Sequence, residues 1–182
     1  VADTREDSVG RALLDFIDSE DTKLLAAARS WAVRKAASDP RWLETVVNDF
    51  DDRPLAQARL LLASDDLRGA WRLADRREQV ATAYWAEFSP YGRGGDFDLV
   101  DEASRRLLDN DRPRVALALM NLYGQDGRVE PELVVEGLEA LIRQPSDHAD
   151  HFHIDSYEIE RLLAVARTAN VPKKRLGQLE WA

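Results

Sequence analysis

The sequence predicts an all-α protein, and three observations carry that prediction. Apolar residues recur at helical spacing in one stretch after another. Alanine and leucine dominate the apolar set while isoleucine and threonine are scarce, a bias that favours helix over strand. Aspartate and proline stand at the heads of these stretches, where a side-chain cap or a fixed φ suits the first turn of a helix.

Taken in order, Ser8 opens a run that places Val9, Leu13, Phe16 and Ile17 on one side. Asp21 is the expected N-cap of a second helix carrying Leu24, Ala27, Ala28 and Trp31. Pro40 opens a third, with Trp42, Leu43, Val46 and Val47 as its stripe. Asp51-Asp52-Arg53-Pro54 then introduces a strongly apolar helix through Leu55, Ala58, Leu61 and Leu62. Asp66 starts a run with Leu67, Ala70, Trp71 and Ala74, followed by Val80, Tyr84, Trp85 and Phe88 in a second helix or an extension of the same one. Ser89 to Asp96, with three glycines and a proline, reads as a loop.

Phe97 to Gly124 is the organising hairpin. Its first arm alternates Val100, Ala103 and Leu107 with charges, while its second, from Pro113, is apolar on nearly every side through Val115, Leu117, Leu119, Met120 and Leu122. A helix without a wet face belongs between other helices. Asp52-Arg53-Pro54 and Asp111-Arg112-Pro113 repeat one device, D-R-P before an apolar helix. Pro131 then starts a helix with Val134, Val135, Leu138, Leu141 and Ile142 opposite Glu132, Glu136 and Glu139. Asp155 with Glu158 forms a capping box ahead of Ile159, Leu162, Leu163 and Ala166, and Pro172 starts the last helix. The expected architecture is an irregular HEAT- or TPR-like solenoid of about ten short helices, since each hairpin buries its inner face only against neighbours. It forms one domain over residues 1–182 with sub-layers at about 1–88 and 97–182.

The runs ASRRLLDNDRPRVALALMNLYG, TAYWAEFSPYG and DSYEIERLLAVARTANVPKKRLGQLEWA resemble the helical C-terminal region of large uncharacterised bacterial proteins, over roughly residues 76–182. The resemblance implies a helical fold and a piece of a longer chain, with any enzymatic segment elsewhere. The opening on Val1 and the arrest at Trp181-Ala182 point the same way, and the excess of arginine over lysine suits a GC-rich bacterial gene.

Composition narrows the function classes. A net charge of −9 opposes a general nucleic-acid or anionic-membrane binder, because both require a cationic field. The chain has no cysteine, which excludes disulfides, thiol catalysis and cysteine-based zinc, and fits a reducing, cytoplasmic setting. All three histidines, His148, His151 and His153, fall in one window with Asp147, Asp150 and Asp155. Imidazole and carboxylate are ligands for zinc or nickel, but a polar loop collects the same residues for solubility, and no HExxH helix accompanies them. Arg68, Arg72 and Arg76, with Arg77 adjacent, form a basic row that either tracks phosphates or pairs with Asp65, Asp66, Asp75 and Glu78. Arg93-Gly94-Gly95 lacks the strand, lysine and hydroxyl of a phosphate loop. The five tryptophans read as packing residues and the three glutamates as a wet face. The reading that follows is a non-enzymatic scaffold that binds a protein partner or another part of its own chain, with no cofactor and no resident metal. Alternatives are a metal module on His148, His151 and His153, and a nucleic-acid-contacting helical repeat.

Overall fold

The computed structural model describes residues 2–91, 99–123, 129–144 and 152–180. These are all-helical, with no strand among the described residues. The chain divides into two compact units, Val1–Phe88 and Ser89–Ala182. Among the described residues no helix is long and apolar enough to cross a membrane.

The first unit contains α1 (Ala2–Leu14), α2 (Thr22–Ser38), α3 (Pro40–Val46), a 3-10 turn (Val47–Phe50), α4 (Pro54–Leu61), α5 (Leu67–Ala74) and α6 (Glu78–Glu87). Asp21 caps α2 as its sequence position predicts, accepting from the Lys23 and Leu24 amides, and Asp66 caps α5 through the Gly69 amide. α5 and α6 are separate helices, broken at Asp75–Arg77. Trp71, Tyr84, Trp85 and Phe88 pack together at the centre with 0–2% exposure. Trp71 Nε1 donates to the Tyr84 hydroxyl at 3.2 Å, so the one polar atom that this indole buries is satisfied. Gln57, 2% exposed, works as a buried clip: its Nε2 donates to the Val47 carbonyl at 2.8 Å and ties α4 to the 3-10 turn.

The predicted inner side of α1 and the turn after it is met only in part. Ile17 is buried as expected and Leu13 is half-buried, but Gly10 and Leu14 point inward while Val9 and Phe16 are 61% and 41% exposed. The cause is a close approach: a Cβ on Gly10 would lie 1.9 Å from Cε2 of Trp31. The indole takes the place that a side chain would occupy, and this contact turns the helix by one residue relative to its hydrophobic pattern.

The second unit contains α7 (Val100–Asp109), α8 (Pro113–Tyr123), α9 (Pro131–Arg143), α10 (Ser156–Ala166) and α11 (Lys173–Glu180). α8 packs against α7, α9 and α10, and every residue from Val115 to Met120 is buried. Only its end departs from the expectation, since Leu122 is 41% exposed. Ile142 on α9, expected in the core, is 48% exposed. The capping box at Asp155 and Glu158 forms as predicted.

The two D-R-P segments head α4 and α8, yet the chain enters them differently. Before α8, the Arg112 amide donates to the Leu107 carbonyl (2.9 Å) and the Asp111 amide to that of Leu108 (3.0 Å), with Asp111 at φ 56°. That is a left-handed helix stop of the Schellman kind, normally a glycine position. Asp111→Gly is therefore expected to stabilise by about 0.5 kcal/mol and Asp111→Val to destabilise by about 1–2 kcal/mol. Thermal denaturation should rank them Gly, Asp, Val, and a valine variant as stable as the glycine one would contradict this backbone geometry.

Candidate functional site

Several residues that the sequence nominates fall outside the described residues: His148, His151, Asp147, Asp150 and the Arg93–Gly95 segment. Of the histidine window, His153 and Asp155 are described. His153 is exposed, and Asp155 is engaged at the head of α10 by the Glu158 amide.

The basic row does not hold together as one helical face. Arg68 and Arg72 lie on α5, but the helix ends at Ala74, so Arg76 and Arg77 sit in the turn beyond it. Arg77 reaches back to Asp51, donating to its carbonyl at 2.9 Å and its carboxylate at 2.6 Å. This arginine braces the 3-10 turn against the α5–α6 connection.

The strongest charge cluster is one that the sequence did not reveal. Glu87 at the end of α6 accepts from Arg59 on α4 (2.5 Å and 2.9 Å) and is also paired with Arg29 on α2. Arg59, 12% exposed, donates further to the Ile17 carbonyl at 3.2 Å. Burial alone would push the Glu87 carboxyl up, but the two guanidinium groups outweigh it and hold it below its ordinary value of 4.5. Beside this cluster Arg53 clasps Asp18, which its hydrogen bonds hold below the ordinary carboxylate value. Both groups join segments far apart in sequence, with each charge facing an opposite one, which is the arrangement of a structural clasp.

Two surfaces of the first unit are shaped to receive something. One is a groove of about 280 Å³ between α1, α2 and α3. Trp31 and Trp42 meet edge to face in it, with centroids 5.3 Å apart, and Arg11 bridges to Asp49 at 2.9 Å across its rim. Aromatic walls with charges of both signs at the edge suit one inserted side chain or a peptide end, and the volume falls at the lower limit of small-molecule pockets, about 300 Å³. The other is the outward side of α1 and the turn after it. Val9 on α1 and Phe16 in that turn are exposed, and Leu13 between them is half-buried.

In the second unit Glu136 of α9 is exposed as expected, but Glu132 and Glu139 are engaged. Arg175 of α11 grips Glu139 with both Nε and Nη2, the latter at 2.7 Å, and Glu132 accepts the Asn170 amide at 2.7 Å. The hydrogen bonds from Arg175 hold the Glu139 carboxyl below its ordinary value. Asp101 shifts the other way: burial raises it, and its Oδ1 takes the Glu130 amide at 3.3 Å as a brace at the start of α9.

Comparison with protein-family models, with curated proteins and with solved structures gives no match in any of the three.

Proposed function

We propose that this chain is a non-enzymatic helical-repeat scaffold, an irregular HEAT- or TPR-like solenoid segment that binds a protein partner or another part of its own chain. The observation that carries the reading is the apolar surface made by Val9 and Leu13 on α1 and Phe16 in the turn that follows it, left over after the unit has buried Gly10, Leu14 and Ile17. Exposed apolar side chains grouped at the end of a helix are what one helix offers another. The solenoid reading is supported by the pattern of packing within each unit, where helices touch both the next helix and the next but one, as in α7 with α8 and α9. The charge clusters support the same reading, because Glu87, Asp18 and Glu139 each face arginine partners that fix helices in place.

A photo-crosslinking residue at position 16, expressed in the native cells, is expected to give one discrete adduct that Val9→Asp abolishes without lowering the melting temperature. A crosslinker at Arg34, exposed on α2, is expected to give none. No adduct from position 16, or a melting temperature that falls with Val9→Asp as a core substitution would make it, overturns the reading.

A further inference from the structure

α11 is held to the second unit by little. It buries one side chain, Leu179, at 8% exposure. Its middle is Gly177, and a Cβ there would meet nothing within 4 Å, so no packing requires the glycine and it only weakens the helix. Eight residues are too few for a stable helix in water on their own. What seats the helix is polar. Arg175 grips Glu139 on α9, Arg167 at the end of α10 pairs with Glu180 at 2.9 Å, and the Asn170 amide binds Glu132 in the preceding turn. α9, by contrast, buries five residues from Leu133 to Leu138. Beside the seat runs an open groove of about 420 Å³ that includes Ile142, Arg143 and Leu179.

We propose that α11 is a detachable strap, leaving α9 without the rest of its unit unfolding, and that the vacated seat accepts in trans a short helix presenting Arg and Leu four residues apart. The chemistry of that partner is defined by the segment now in place. A guanidinium must reach Glu139 at the position of Arg175, and an apolar side chain must fill the place of Leu179 one turn further on. While α11 is docked the seat is filled in cis, where tethering gives it a high effective concentration over any free competitor. Binding is thus gated by the Arg175–Glu139 pair. The inference rests on the scaffold reading but not on its α1 surface, so the crosslinking at position 16 and the test below fail independently.

The test uses the full chain. In Arg175→Glu, amide exchange across residues 173–180 should quicken at least about tenfold, while α8 and α9 keep their protection. Adding Glu139→Arg in the same chain should restore the slow exchange, a rescue that general destabilisation does not give. A fluorescein-labelled peptide of residues 169–180 should bind the Arg175→Glu chain, bind the unsubstituted chain about tenfold more weakly, and fail to bind the double variant. Unchanged exchange in Arg175→Glu, loss of protection spreading through α8 and α9, or a peptide that binds all three chains equally or none of them overturns the proposal.

Discussion

Leu119→Asp is expected to prevent the second unit from folding. Leu119 has 0% exposure and sits in an unbroken buried run from Val115 to Met120. α7, α9 and α10 surround α8, so no rotation of the helix brings position 119 to water without burying another face worse. The close approach of α9 adds to this. A Cβ on Gly137 would already stand 2.9 Å from Leu117, which leaves the neighbouring helix no room to give. A carboxylate there must either remain charged and unpaired or take up a proton, and a shift of 3–5 pKa units corresponds to about 4–7 kcal/mol. That is of the order of the whole stability of a domain, about 5–15 kcal/mol, even before the lost leucine contacts. Leu122→Asp on the same helix is the control, since that side chain is 41% exposed and the change should stay within about 1 kcal/mol. Far-UV circular dichroism separates the two: Leu119→Asp should lose the helical signal of residues 99–180 and Leu122→Asp should keep it. Equal tolerance of both would mean that α8 is not the centre of its unit.

The helices, their caps and the place of α8 were legible because each depends on local chemistry. Asp21, Asp66 and Asp155 cap from their own first turns, and Pro40, Pro54, Pro113 and Pro131 open helices where a missing amide donor is harmless. What escaped depends on partners distant in the chain. The α1 face was misread because a pattern of apolar residues gives glycine no weight, whereas Gly10 is the contact that seats Trp31. Glu139 looked solvated because nothing within one helix shows that Arg175, 36 positions further on, returns to it. The basic row dissolved for the opposite reason: i+4 spacing assumes a continuous helix, and the turn at Asp75–Arg77 interrupts it. The Glu87 cluster gave no signal at all, since Arg29 and Arg59 stand 58 and 28 residues away.

That cluster sets the second large effect. Glu87→Ala is expected to destabilise the first unit by about 2–3 kcal/mol at pH 7, between the values for exposed and fully buried pairs. The loss comes less from the missing attraction than from what remains, because Arg59 is 12% exposed and would keep its charge without its hydrogen-bonded carboxylate, left with the Ile17 carbonyl and the more distant Asp18. Arg29→Ala should cost less, as Arg29 is 42% exposed and its removal leaves Glu87 still gripped by Arg59. Combining Glu87→Leu with Arg59→Met should recover much of the stability, since the buried Arg59 charge is no longer stranded and Arg29, 42% exposed, can turn to water. The effect has a defined pH dependence. The carboxyl is held below its ordinary value of 4.5, so its contribution is complete above that value and disappears as pH falls through the lowered one. Four of the five tryptophans, Trp31, Trp42, Trp71 and Trp85, lie in the first unit, so tryptophan fluorescence during urea unfolding mainly follows it. The midpoints of the parent chain and Glu87→Ala should lie well apart at neutral pH and converge on acidification below 4.5. A gap that stays constant through that range would show that Glu87 acts through packing and not through its charge.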